Sequence, residues 1–434
     1  MSTRAMLYCQ HLAGIGHLVR TAELARSMSA DGWEILLVCG GKVPDNFVFA
    51  PLVRVEQLEP IQSDPEYKTL SACAEGLSLE YVKEQRVAHL LLLLESFRPD
   101  VLVTEMFPFG RKQFAFELMP LLEHARRAEQ KPLIVASVRD ILVAKKDPET
   151  QEKRVLEVVN AFYDLVLVHS DESVQPLRAT FSMATAIQPP VIHTGYIIAS
   201  SPVDESAAAE DANSHLIPCE STDELLIVVS CGSGRLHAAK QLIMAVLRAA
   251  PSLARSLRHK FLICAGPLVQ HQTFQTYQDL ADGQANVFLV HDLPFLRRLL
   301  GQAALSISLG GYNTVMELLS ARAQALVFAA EPNGDNEQKT RIESLAAQGL
   351  LREIHAEDLM NGNLAELIRE ALAFPLRSVH VQLDGARNSA KLLTKHTMRD
   401  PLLRSMSCAA LEPSVRAVSG TAATTELERH SPCA

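Results

Sequence analysis

Short apolar runs alternate with longer amphipathic segments over most of the chain. A run of about 4–8 apolar residues is typical of a buried strand, and apolar positions three and four apart predict a helix. The first half yields strands at 5–9, 35–39, 101–104, 133–137, 165–169 and 191–193, with helices at 17–29, 85–96, 111–129 and 151–162. This alternation predicts a parallel sheet that is covered by helices on both faces.

A second alternating series begins near residue 225. It yields strands at 225–229, 261–264, 287–290, 305–308, 325–328 and 350–353, with helices at 237–249, 295–300, 314–320, 337–347, 364–373 and 386–394. The segment between the two series, 199–223, is rich in Ser, Ala, Pro and acidic residues and has no apolar period. The predicted fold class is α/β, with two Rossmann-like doubly wound parallel-sheet domains that face a cleft. The predicted division is 1–198, a linker at 199–223, 224–398, and a disordered tail at 399–434.

Composition narrows the class of protein. The 434 residues suit two domains, and a net charge of -9 argues against nucleic-acid binding. The first residues do not form a signal peptide, and the most apolar helical stretch, 89–97, is far shorter than the roughly 20 residues of a membrane span. Eight cysteines form no Cys-x-x-Cys pair, and there is neither Asp-x-Asp nor a zinc spacing. We therefore expect a cytoplasmic protein with reduced thiols and no bound metal or cofactor.

Glycine turns in the second half predict a phosphate site. Gly310 and Gly311 join a strand to a helix that Asn313 or Thr314 could cap. A helix N-terminus exposes unpaired N–H groups, and glycine lets a phosphate come close to them. One helix end contributes only about 0.3–2 kcal/mol, so a departing diphosphate needs several donors. Other turns could supply them: Gly232, Ser233, Gly234 and Arg235 in one, and Gly266 in another. The alternative for each is an ordinary strand-to-helix turn.

Polar side chains near these turns suit the rest of a nucleotide sugar. Glu317 lies one turn into the helix, where its carboxylate could reach ribose hydroxyls. Asn336, Glu337 and Gln338 follow the next strand and suit sugar hydroxyls. The alternative is a capping box in which Asp335 is the N-cap and Gln338 reaches back.

The first half offers three candidates for a general base. His17 opens the first helix, and its ordinary pKa near 6.5 suits proton removal from an acceptor hydroxyl. Glu105 and Asp140 each follow a strand, and either could be the base or orient His17. The alternative for His17 is a histidine without a role in the first turn of a helix. For Glu105 and Asp140 it is loop polarity or pairing with Arg111 or Arg139.

The loop before His17 and nearby cations bear on the acceptor. Gly14 and Gly16 form an acceptor loop rather than a dinucleotide fingerprint, because Val19 stands where the third glycine would be. Pairs of basic residues, Arg111 with Lys112 and Lys145 with Lys146, suit an anionic lipid head-group, which allows a peripheral membrane contact. A solvated charged face is the alternative.

The segments "GGYNTVMELL", "EPNGDNEQKTRIESLAAQGL" and "YCQHLAGIGHLVRTAELARSMSADGWEILLVCGG" resemble glycosyltransferases of the GT-B fold and family 28. That family includes the peptidoglycan enzyme that moves N-acetylglucosamine from UDP to a lipid-linked acceptor. "VTEMFPFGR" and "VASVRDILV" are most similar to a bacterial group described as predicted glycosyltransferases.

The resemblance implies roles for the donor residues. The diphosphate would lie between the loop at 230–235 and the helix after Gly311, and Glu317 would bind ribose. The base would lie near Gly266 and the segment at 291–295, and the donor sugar near residues 336–338. The full expected donor set is Gly232, Ser233, Arg235, Gly266, His291, Leu293, Gly310, Gly311, Tyr312, Asn313, Thr314, Glu317, Asn336, Glu337 and Gln338.

The expected function is a metal-independent, inverting glycosyl transfer from a nucleoside-diphosphate sugar, UDP-linked by preference, to an acceptor hydroxyl. A glycan, a lipid-linked compound or a small molecule could be the acceptor. One rival is a hydrolase or non-hydrolysing 2-epimerase of nucleotide sugars on the same fold. Another is a non-catalytic nucleotide-sugar-binding protein.

Overall fold

The structure, a computed structural model, describes residues 2–12, 15–63, 69–143, 147–199, 224–293, 296–331, 336–376 and 380–398. Seven parallel strands form the first sheet, in the order β3-β2-β1-β6-β7-β8-β9. Strands and helices of this half are β1 (Arg4–Cys9), α1 (Gly16–Ala30), β2 (Glu34–Cys39), β3 (Val53–Gln57), β4 (Ile61–Ser63), β5 (Leu70–Ala72), α2 (Leu79–Phe97), β6 (Val101–Glu105), α3 (Ala115–Arg127), β7 (Leu133–Arg139), α4 (Pro148–Phe162), β8 (Leu165–His169) and β9 (Val191–His193). Strands β4 and β5 form a separate antiparallel hairpin.

Six parallel strands form the second sheet, in the order β12-β11-β10-β13-β14-β15. Its elements are β10 (Leu225–Ser230), α5 (His237–Ala254), β11 (His259–Cys264), α6 (His271–Ala281), β12 (Val287–Val290), α7 (Leu296–Gln302), β13 (Leu305–Leu309), α8 (Tyr312–Ala321), β14 (Ala325–Phe328), α9 (Glu337–Ala347), β15 (Arg352–Ile354), α10 (Ala356–Asn361), α11 (Leu364–Ala373) and α12 (Gly385–Met398). In both sheets the order of the strands reverses beside the first strand, β1 or β10. Ligands of such folds bind at this point.

The predicted fold class is confirmed: two doubly wound α/β units carry the two sheets. The central strands β1, β6, β8 and β13 are buried almost throughout, which explains their continuous apolar runs. Strand β3 escaped prediction because it lies at the sheet edge and alternates Val with Arg and Glu. Helix α6 was not predicted because polar residues fill most of its positions, and α10 was not predicted because it is only six residues long.

The last helix, α12, packs against the first domain, although the sequence division places it in the second. Its Ala390 and Leu393 are fully buried in the core that contains β1 and β2. The indole N–H of Trp33, which precedes β2, donates to Thr394 Oγ1 at 3.1 Å. Amphipathic spacing predicts the helix but carries no information on which sheet receives its apolar face.

The chain passes between the domains twice, and the two passages lie side by side. The backbone N–H of Tyr196 donates to the carbonyl of Gln382 at 2.8 Å, and that of Gly385 donates to the carbonyl of Tyr196 at 2.9 Å. Apart from Ala199, the predicted linker at 199–223 lies outside the described residues, as does the predicted tail at 399–434.

Candidate active site

A histidine–glutamate pair lies at the carboxyl end of the first sheet. His17 begins α1 and Glu105 ends β6, and His17 Nδ1 lies 2.7 Å from Glu105 Oε1. The guanidinium of Arg20, one turn further along α1, forms a short ion pair with the same carboxylate oxygen. Glu105 and Arg20 are buried, whereas 18% of the His17 side chain is exposed.

Burial and neighbouring charges set the protonation states of His17 and Glu105. Burial lowers the pKa of His17 well below its usual value, against the attraction of Glu105 and together with the positive charges of Arg111 and Arg20. Burial alone would raise the pKa of Glu105, but His17 and Arg20 outweigh it and lower that pKa. A neutral His17 therefore donates from Nδ1 to an ionised Glu105, which leaves the lone pair of Nε2 free to accept a proton.

A network of ion pairs crosses from the first domain to the second. Arg341 of α9 donates to both oxygens of Asp140, at 2.7 and 3.0 Å, and to Glu337 at 2.8 Å. Arg139, at the end of β7, forms a short ion pair with the other oxygen of Glu337. Asp140 and Arg341 are fully buried, and Arg341 overrides the effect of burial to lower the pKa of Asp140. Asp140 is thus held in an ion pair between the domains.

The ring of Tyr312 connects this network to the histidine–glutamate pair. The guanidinium carbons of Arg20 and Arg341 lie 5.6 and 5.2 Å from its centroid, within cation–π range. Its hydroxyl donates to the carbonyl of Ile197 and accepts from the N–H of the same residue, both at 3.2 Å. Tyr312 follows Gly311, so the candidate donor loop touches the arginine that holds Glu105.

Two of the predicted glycine turns are in direct contact. The backbone N–H of Leu268 donates to the carbonyl of Ser233 at 3.0 Å. A Cβ on Gly266 would lie 2.3 Å from the N of Gly234 and 2.7 Å from the O of Gly232. Gly266 has φ +108°, so both conformation and close approach favour glycine there. The turns after β10 and β11 together form one glycine-lined surface.

The third turn brings β13 to the N-terminus of α8. A Cβ on Gly310 would lie 2.5 Å from Ile342 Cδ1, so glycine allows α9 to pack closely here. Gly311 is the N-cap of α8, and this residue makes no side-chain capping hydrogen bond. The expectation that Asn313 or Thr314 caps this helix is wrong, since both lie inside it.

Other predicted donor residues surround these turns. Gln338 accepts from the N–H of Ala330 at 3.0 Å, and His291 stacks on Phe274 with ring centroids 3.7 Å apart. Among the remaining residues, Ser233, Arg235 and Asn336 are exposed, Asn313, Thr314 and Glu317 are half-buried, and Leu293 is buried. In the predicted acceptor loop, Gly16 is half-buried, whereas Gly14 lies outside the described residues, as do Lys145, Lys146 and the proposed cap Asp335.

Two arginines of the site, Arg20 and Arg341, were not predicted, whereas Arg139 was considered only as a partner of Glu105 or Asp140. Arg20, Arg139 and Arg341 hold Glu105, Glu337 and Asp140 respectively. The signal for two of them is in the sequence, because Arg20 stands three residues after His17 and Arg341 four residues after Glu337, on the same helix faces. Arg139 pairs with Glu337 rather than with Glu105 or Asp140.

Two negative findings apply to the part of the chain that the structure describes. Within it, no group of three or more His, Cys, Asp or Glu side chains could hold a metal ion. Within it also, every helix is too short or too polar to cross a membrane.

Comparison with known proteins agrees with this architecture. Residues 226–396 match the glycosyltransferase family 28 C-terminal domain. Over these residues the chain is similar to that domain. No curated protein matches the chain significantly.

Solved structures extend the likeness to the first half. MurG from Acinetobacter baumannii is 16% identical, with a TM-score of 0.56 over 91% of this chain and 99% of that one. UGT71G1 from Medicago truncatula, complexed with UDP-glucose, is 13% identical, with a TM-score of 0.56 over 91% and 98%. A UDP-GlcNAc 2-epimerase from Methanocaldococcus jannaschii is 8% identical, with a TM-score of 0.57 over 91% and 100%. These likenesses show the GT-B fold, and the family match of residues 226–396 supports a glycosyltransferase.

Proposed function

We propose that this glycosyltransferase moves a sugar from a UDP-sugar to an acceptor hydroxyl, with inversion at the anomeric carbon and without a metal ion. The observation that carries the proposal is the His17–Glu105 pair, which Arg20 connects to Tyr312 on the candidate donor loop. A proton acceptor on one domain thus lies next to the loop that would hold the leaving group on the other.

The reaction follows from this arrangement. His17 Nε2 takes the proton of the acceptor hydroxyl, and Glu105 stabilises the imidazolium that forms. The acceptor oxygen attacks the anomeric carbon from the face opposite the diphosphate, so one C–O bond forms as the other breaks. The diphosphate leaves with the bonding pair, and backbone N–H groups of the first turn of α8 and the glycine turns stabilise its charge.

Three further residues have proposed roles in the donor site. Glu317, one turn into α8, would bind the ribose hydroxyls, and Gln338 would hold the sugar. Glu337 would contact the sugar only after exchanging one of its two arginine partners for a sugar hydroxyl. UGT71G1, whose solved complex contains UDP-glucose, supports the choice of UDP.

UDP binding tests the donor site. UDP at about 100 times its dissociation constant, with EDTA present, should add about 2.7 kcal/mol of stability and raise the melting temperature of the wild-type chain. Gly266→Ala should lose most of that rise, because its Cβ would push apart the two glycine turns. Glu317→Ala should reduce it as well.

Gly283→Ala is the matched control for Gly266→Ala. Gly283 also has a positive φ, +78°, but a Cβ there meets nothing within 4 Å. Both variants carry backbone strain, so only a difference in UDP response reports on the turn contact. A wild-type chain that gains no stability from any nucleotide would refute the proposed function.

The rival reactions need no acceptor. The likeness to a UDP-GlcNAc 2-epimerase gives that rival its specific support. Incubation with UDP-sugar alone separates them: a transferase leaves most donor intact, a hydrolase releases free sugar, and an epimerase changes the sugar while it is linked to UDP. Appearance of an epimer without acceptor would replace the transfer proposal.

The pH dependence of kcat/KM reports on His17. Because its pKa lies well below 6.5, the base stays neutral across the neutral range, and kcat/KM should remain flat as the pH falls from 8 to 6. The free energy of unfolding should also fall as the pH falls. Neutral His17 and ionised Glu105 bind fewer protons in the folded chain than in the unfolded chain. As the pH falls below about 6.5, the folded chain loses stability because the unfolded chain protonates this histidine first. The contribution of Glu105 is present above about pH 4.5 and is lost as the pH falls towards about 2. Half-maximal kcat/KM at pH 7 would contradict a neutral His17.

A further inference from the structure

The loop between β6 and α3 presents Arg111 to the candidate active site. Met106 and Arg111 adopt left-handed conformations, with φ +63° and +57°, which cost energy in residues other than glycine. The loop is nonetheless firmly held, because the hydroxyls of Thr104 and Tyr163 donate to the carbonyl of Phe107 at 3.0 and 3.1 Å. Arg111 therefore has a fixed position beside the end of β6.

Buried polar atoms without partners gather around this position. His11 Nδ1, Arg20 Nε, Arg111 Nε and Glu105 Oε2 are all buried and make no hydrogen bond within the described residues. They come from the ends of β1 and β6, from α1 and from the loop of Arg111. Buried polar groups are normally hydrogen-bonded, so this concentration indicates a place that receives a polar ligand.

Charge balance identifies Arg111 as the surplus cation. The three carboxylates of the site already have arginine partners: Glu105 has Arg20, Asp140 has Arg341, and Glu337 has Arg139 and Arg341. The Nε of Arg111 is buried and has no hydrogen-bond partner among the described residues. Burial lowers the pKa of Arg111 despite the attraction of Glu105, and Arg139 lowers it further. A buried cation in this position is stabilised by an added anion.

We propose that Arg111 binds an oxyanion, a phosphate or carboxylate, carried by the acceptor. This inference rests on the proposed function, since it places the anion beside the hydroxyl that His17 would deprotonate. Arg111 belongs to the first domain, opposite the glycine turns that would hold the diphosphate of the donor. A guanidinium matches the two oxygens of such a group in geometry as well as in charge.

Inorganic phosphate is the probe for this site. It is titrated into the full-length chain with UDP at saturation, so that the diphosphate position is filled, and chloride keeps the ionic strength constant. A saturable rise in melting temperature is expected for the wild-type chain. Arg111→Gln should weaken the apparent phosphate affinity at least ten-fold, while Arg111→Lys should retain part of it.

Arg127→Gln is the matched control, because Arg127 ends α3 and is 79% exposed. It should respond to phosphate like the wild-type chain. Retained UDP binding by Arg111→Gln shows that this variant is folded and that its donor site is intact. The inference is overturned if phosphate gives no saturable rise, or the same rise in Arg111→Gln. A wild-type chain that fails to bind UDP would instead refute the proposed function, and the titration without UDP would still test Arg111.

Vesicles distinguish the source of the anion. Co-sedimentation with phosphatidate vesicles, but not with phosphatidylcholine vesicles, and its loss in Arg111→Gln would support a lipid-linked acceptor. Phosphate binding without vesicle binding would support a free, water-soluble acceptor with the same oxyanion.

Discussion

Replacement of His17 by alanine is expected to lower kcat by roughly 10²–10⁴-fold, the usual contribution of a general base. Affinity for UDP should stay unchanged, because the nucleotide would bind to the other domain. His271→Ala is the matched control. His271 also begins a helix, but it is exposed and belongs to the second domain. Steady-state kinetics with the acceptor, together with UDP binding by each variant, make the comparison.

Glu105 tests whether the two side chains act as one unit. Glu105→Gln keeps the shape of the side chain but removes the charge that stabilises a protonated His17. Its loss in kcat should be smaller than that of His17→Ala, and the double variant should be no slower than His17→Ala alone. If the fold-losses in kcat of the two single variants multiply in the double variant, His17 and Glu105 act independently. That result would contradict their action as one catalytic unit.

The largest loss of stability is expected for Arg341→Met. Arg341 and Asp140 are buried, so the substitution leaves the Asp140 carboxylate buried without its bidentate partner. Removal of one member of a buried ion pair costs about 3–5 kcal/mol, which equilibrium unfolding in urea can measure. Arg369→Met is the control, because Arg369 pairs with Glu366 at the surface and should cost at most about 1 kcal/mol.

The double variant Asp140→Asn, Arg341→Met separates a buried charge from a packing defect. If the uncompensated carboxylate is the cause, its neutralisation should restore a substantial part of the lost stability. No recovery would assign the loss to the cavity left by the guanidinium and to the broken contact with Tyr312.

The sequence predicts several strands well because a short apolar run between polar turns is a local mark. Strands β8, β9, β12 and β14 have the predicted bounds, whether they are buried, as β8 and β14 are, or half-buried at a sheet edge, as β9 and β12 are. Edge strand β3 lacks that mark because Arg54 and Glu56 interrupt its apolar residues. The position of α12 has no local mark at all, since Thr394 of this helix and Trp33, which donates to it, are 361 residues apart in the chain.

The candidate site, like the fold, could be predicted only in part. His17 and Glu105 follow predicted strands of one parallel sheet, so their proximity could be anticipated from the shared edge of that sheet, and the structure places them in contact. The pairing of Asp140 with Arg341 and of Glu337 with Arg139 could not be anticipated, because it depends on how the two domains meet. Residues with suitable chemistry could thus be located from the sequence, but their partners across the cleft could not.

The packing of α12 has a practical consequence for hybrid enzymes. A chimera that takes everything after residue 224 from a relative would import a helix whose Ala390 and Leu393 must fit a foreign core. Two exchange boundaries keep both cores intact, one on each passage of the chain. The first lies before β10 and the second near Gly385. Exchange of the donor half therefore amounts to replacing an internal cassette, with α12 kept from the host.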